Sequence, residues 1–116
     1  MLTSSTTHGV APVLYKKLPY DAMKSFTHIS GVLYMPAMMA VNAEVPAKTV
    51  KEFIALAKAK PGAYLFVSSG NGSAPQLWGE QFKILTGVQI THVPYKGSGP
   101  AVVGLASGEA HLMFDG

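Results

Sequence analysis

The sequence predicts an α/β fold, three layers deep, on a mainly parallel sheet. Three observations carry that prediction. From about residue 32, short apolar runs rich in β-branched and aromatic residues alternate with segments of helical spacing. The helical segments close on stop signals, Lys60-Pro61-Gly62, Gly87 and Gly108. The resulting order, β-α-β-α-β-α-β, is the order that builds a sheet with helices packed on its faces.

Residues 1–31 read as a separate piece and residues 32–116 as the α/β domain. The first piece opens Ser/Thr-rich, continues with a short helix through "APVLYKKL" and turns at "PYD". "GVLYMPAMMAVN" then reads as a buried extended run. In "TVKEFIALAKAK", Val50, Phe53, Ile54 and Ala57 fall at i, i+3, i+4 and i+7, one face of a helix. Thr49 followed three residues later by Glu52 fits a capping box at its start. "AYLFVSS" reads as a strand. "APQLWGEQFKILTG" returns to helical spacing through Trp78, Phe82 and Leu85. "VQITHV" alternates as a strand with one wetter face. "SGPAVVGLASG" is a short helix with Pro100 in its first turn, and "AHLMFD" is the last strand.

Composition narrows the function classes. Hydrophobic residues make up 48% and charged residues 13%, which predicts a globular chain rather than a disordered one. A net charge of +3 without a run of Lys and Arg argues against nucleic acid as a partner. With no cysteine, disulfides and thiolate chemistry are excluded. "VLYMPAMMAV" is too short to span a bilayer and is cut by Pro36, and "MLTSSTTHGV" does not read as a signal peptide.

The connectors divide into two kinds. Helix-to-strand links, "KPGA", "TGV" and "SGEA", hold nothing reactive. Strand-to-helix links, "SSGNGSA" and "PYKGSGP", are rich in Gly, Ser and hydrogen-bonding side chains, and the last strand ends in Asp115. In a parallel sheet the strand C-termini share one rim, outside which ligands bind. Ser68, Ser69, Asn71, Ser73, Tyr95, Lys96, Ser98 and Asp115 are therefore expected on one edge. Two helix N-termini open there, each contributing about 0.3–1 kcal/mol toward an anion. Three or four charge-assisted hydrogen bonds of about 1.5–3 kcal/mol each, set against the entropy of association, give a micromolar site of about −8 kcal/mol. A carboxylate suits that supply. The plainer alternative is a tight turn at "SSGNGS" with Ser73 only capping its helix.

Other candidates are weaker. His8, His28, His92 and His111 share no metal-ligand spacing, so no metal is expected, and His92 and His111 read as satisfied strand residues. Lys48, Lys51, Lys58 and Lys60 read as a solvated helix face. "SGNGSA" matches neither a Walker loop nor the dinucleotide fingerprint, and no cofactor is expected. Ser69, His92 and Asp115 contain the residue types of a hydrolase triad, but G-x-S-x-G is missing. No catalytic residue is assigned. A small α/β enzyme or phosphate-binding domain using the same loops is the alternative reading.

With these residues in view, the stretch from "VPAKTVKEF" to "HLMFD", above all "GNGSAPQL" and "HVPYKGSGPA", resembles the Bug family, the extracytoplasmic solute receptors of tripartite tricarboxylate transporters. The resemblance implies a periplasmic, two-lobed, type II periplasmic-binding-protein fold that closes on a small organic carboxylate and works with membrane transporter subunits. It implies that residues 32–116 correspond to most of the second lobe and residues 1–31 to a strip of the first. Matched residue by residue, Ser69, Gly70, Asn71, Gly72, Ser73 and Ala74 correspond to the carboxylate loop. Tyr95, Lys96 and Gly97 correspond to the loop after the next strand, Asp115 to the acid ending the one after that. Ser4, Ser5 and Thr6 correspond to a first-lobe segment bordering the cleft. An apolar strip without its full lobe is expected to favour swapping or dimerisation.

Overall fold

The computed structural model describes Met1 and residues 3–116. The chain divides into two compact units, Met1–Pro36 and Ala37–Gly116.

In the first unit a π-helical turn, Thr6–Val10, runs into a short helix α1, Ala11–Leu14. The helix expected through residue 18 therefore stops at Leu14, and Tyr15 is already extended. Pro19 disfavours a helical conformation at Leu18, which opposes continuation to that residue. Asp21 holds the next turn, its carboxylate accepting from the Met23 and Lys24 amides at 2.9 and 3.0 Å. His8, Tyr20, Phe26 and His28 pack their rings together.

The second unit holds β1 (Met38–Val41), α2 (Val50–Ala59), β2 (Tyr64–Ser68), α3 (Ala74–Thr86), β3 (Ile90–Pro94), α4 (Ser98–Ala106) and β4 (Leu112–Asp115). The sheet order is β1-β4-β2-β3. β2 pairs in parallel with β3 and β4, in register Phe66↔His92 and Phe66↔Leu112. β1 pairs antiparallel with β4, Met38 opposite Asp115. The mainly parallel sheet is as expected, with one edge strand reversed.

Alternation along the strands builds two cores, one on each face. Phe66, Leu112 and Phe114 point to the side covered by α2 and α3, where Phe53 and Ala57 are fully buried and Trp78 and Phe82 pack alongside. Val67 and Met113 point to the other side, against Ala101 of α4. Three layers result.

Several expected core positions lie at the surface. Val50, Leu85 and the run Val32, Leu33 and Tyr34 are exposed, the last three at about four-fifths of their area. The "GVLYMPAMMAVN" run is a strand only over Met38–Val41. Hydropathy registers a residue's preference for burial, while burial itself requires a partner surface. Val50 and Leu85 sit at the first and last turns of their helices, past the reach of the sheet.

The start of α2 follows the sequence closely. Thr49 Oγ1 accepts from the Glu52 amide at 3.2 Å, and the Glu52 carboxylate accepts from the Lys48 amide at 2.6 Å. Glu52 thus reaches one residue beyond the usual box. Thr49→Ala is expected to lower stability by about 1 kcal/mol, read as a lower urea midpoint at unchanged slope.

Candidate functional site

The C-termini of β2, β3 and β4 lie at one rim because these strands run parallel. Across the sheet the rim order is Asp115, then the 69–73 loop, then the 95–97 loop. β1 starts at this rim instead of ending there, its Met38 beside Asp115.

The two Gly/Ser loops are joined by continuing the parallel ladder. The Tyr95 amide donates to the Ser68 carbonyl at 3.0 Å, and the Gly97 amide to the Ser69 carbonyl at 3.0 Å. Close approach depends on Gly70. Its φ is +138°, and a Cβ there would stand 3.3 Å from the Tyr95 carbonyl oxygen. The starts of α3 and α4 are thereby set side by side. Neither receives a side-chain cap: Ser73 before α3 spends its hydroxyl on the Gly70 carbonyl at 2.6 Å, and Gly97 before α4 has no side chain to offer. The first-turn amides of Ala74 in α3 and of Ser98 and Gly99 in α4 have no carbonyl of their own helix within reach, while Pro75 and Pro100 carry no N–H.

The individual residues take distinct places. Ser69, Gly70, Gly72, Ser73 and Ala74 are partly buried along the loop, and Asn71 is exposed at its tip. Lys96 is exposed between the two helix starts. Tyr95 contributes its backbone to the rim while its ring lies on α4: a Cβ at Gly104 would meet the hydroxyl at 2.5 Å, and that hydroxyl donates to Glu109 at 3.1 Å. This bond to a carboxylate raises the phenol above its ordinary value of 10.0. Asp115 accepts from the Gly116 amide at 2.9 Å. Ser4, Ser5 and Thr6 lie in the first unit at the start of its helical segment, where Thr7 and Ser4 exchange hydrogen bonds.

Beneath the loop is a group that sequence spacing alone did not single out. His92 Nε2 lies 2.6 Å from Ser68 Oγ, not against Ser69, and Gln76 Nε2 lies 3.4 Å from His92 Nδ1. Ser68 is fully buried and its hydroxyl also contacts the Gly70 carbonyl, so this serine–histidine pair faces the protein rather than a substrate. Period-2 alternation puts Phe66 and Ser68 on the α3 side, and that was the available signal. His111 is satisfied by accepting from the Leu65 amide at 3.0 Å. Among the described residues no group of three metal-binding side chains is present. A surface groove at the far rim runs along Asn42, Val45, Pro46 and Glu52, away from these loops.

A three-layer sheet with amide-rich loops at its rim is the architecture of periplasmic binding proteins, and solved members of that class superimpose on this chain. The R. palustris protein Rpa4515, solved with adipate, is 34% identical with a TM-score of 0.87, covering 96% of this chain and 37% of that one. MatC from Rhodopseudomonas palustris, with bound malate, is 30% identical with a TM-score of 0.81, covering 95% and 37%. Protein BugT of Bordetella pertussis is 35% identical over 106 residues, 91% of this chain and 32% of its own length. The tripartite tricarboxylate transporter family receptor model matches residues 1–115. The chain belongs to the tripartite tricarboxylate transporter receptor family. It spans about a third of the length of the curated relatives it matches.

Proposed function

We propose that this chain supplies the anion-holding edge of a periplasmic receptor that captures a small organic carboxylate, by binding and without chemistry, for a tripartite tricarboxylate-type transporter. The observation that carries the reading is the direct hydrogen bonding between the 69–73 and 95–97 loops, which aligns two uncapped helix starts. Solved relatives that hold adipate and malate support a carboxylate as the ligand class. In this reading the amides that the loops' own hydrogen bonds leave free, those of Asn71, Ala74, Ser98 and Gly99, receive the carboxylate oxygens, and Lys96 adds positive charge at the mouth. Asp115, on the opposite side of the 69–73 loop, disfavours a second negative group there. Ligand charge is therefore expected over the β2–β3 side of the rim.

The test is titration of the chain with malate, adipate, inorganic phosphate and AMP, followed by amide chemical shifts. A rim open on one side is expected to hold a dicarboxylate with Kd of about 1 mM, roughly −4 kcal/mol, with shifts confined to residues 69–76 and 96–99. Preference for AMP or phosphate, or ester turnover abolished by Ser69→Ala, would overturn the receptor reading.

A further inference from the structure

We propose that His92 is a positioning residue for the rim, holding the 69–73 loop in shape through Ser68 and Gln76, and that a second proton on its ring releases this hold. The inference rests on the carboxylate reading for its functional meaning, while its structural content stands on the hydrogen bonds alone.

The network assigns each hydrogen. Gln76 Oε1 accepts from the Gly72 amide at 2.6 Å, which turns the Gln76 NH₂ toward His92 Nδ1 at 3.4 Å. Nδ1 is then the acceptor, so the neutral ring carries its proton on Nε2 and donates it to Ser68 Oγ at 2.6 Å. Ser68 passes its own hydrogen to the Gly70 carbonyl at 3.1 Å and accepts from the Gly70 amide at 3.2 Å. Two rim glycines, Gly70 and Gly72, are thus tied to opposite nitrogens of one imidazole. Phe66 stacks on the ring with centroids 4.8 Å apart and fixes its plane.

Adding a proton to Nδ1 sets a donor against the Gln76 NH₂. Relief requires the amide to turn over, which takes Oε1 away from Gly72. The side of the loop nearest α3 is then untied. Burial lowers the His92 proton affinity below the ordinary value of 6.5, with Glu80 of α3 acting against that shift and Lys83 of α3 with it. From β2 the ring meets Phe66 and Ser68, neither of which titrates. Because the folded value is the lower one, the unfolded chain binds the proton more tightly. Stability is full above pH 6.5 and falls as the pH drops toward the folded value.

The test follows the ¹⁵N-labelled chain from pH 8 to pH 4.5 without any carboxylate. The Gly70 and Gly72 amide signals are expected to move with one midpoint, shared with the His92 ring and below 6.5. In Gln76→Glu the new carboxylate accepts from both the Gly72 amide and a protonated Nδ1, so the midpoint is expected to rise by a factor of about ten or more in proton affinity. In His92→Gln the pH response of both glycines is expected to vanish while the rest of the spectrum stays folded. Glycine signals indifferent to the His92 titration, or a midpoint that Gln76→Glu leaves in place, would overturn the proposal. Malate added to the same samples separates the two readings: a pH response without a malate response upholds the positioning role and defeats the receptor reading.

Discussion

Phe66→Ala is expected to lower the stability of the second unit by about 3–5 kcal/mol, the cost of emptying a fully packed aromatic site. Phe66 is completely buried at the middle of β2. Its ring stacks on His92, meets Phe114 edge-on at 6.4 Å between centroids, and lies directly beneath Gly79 of α3. The surrounding elements cannot collapse into the space, because β2 is bonded on both sides and α3 is held at its start by the loop. Urea unfolding followed through Trp78, the one tryptophan, reads this unit directly. A loss under 1 kcal/mol would show that the sheet–α3 interface is looser than described.

Gly79→Ala is expected to destabilise by about 1–3 kcal/mol, although the same exchange in an exposed helix interior stabilises by about 1 kcal/mol. The added methyl would lie 2.7 Å from Phe66 Cδ2 and Cζ and closer still to Cε2. Phe66 is enclosed and cannot turn away, so α3 must lift. Lifting α3 carries Gln76 and the start of the helix with it, which moves the candidate anion edge. Lower stability together with weaker malate-induced shifts is the expected pair of results. A stabilised variant would mean that helix propensity outweighs the contact.

The local elements were legible because their causes are local. Thr49 and Glu52 marked the start of α2, and the short apolar runs "AYLFVSS" and "AHLMFD" marked two strands. The direction of β1 was not legible, since a four-residue apolar run looks the same read either way and its pairing with β4 is decided by tertiary contact. Exposure of Val32, Leu33 and Tyr34 escaped for a related reason: a single sequence shows an apolar side chain but not the surface it meets. At the rim, glycine and serine spacing pointed to the loops. The part played by His92 depends on Ser68 and Gln76, 24 and 16 residues away, and no local pattern encodes those encounters.

The reversed edge strand also sets how the second unit answers a mechanical load. Met38 and Asp115 stand opposite each other in the ladder, so traction pulling them apart opens the β1–β4 hydrogen bonds one after another, like a zipper. Parallel neighbours stretched along their length would share that load among all their bonds at once. β1 is therefore the seam that yields first, leaving the three-stranded parallel sheet and its rim intact.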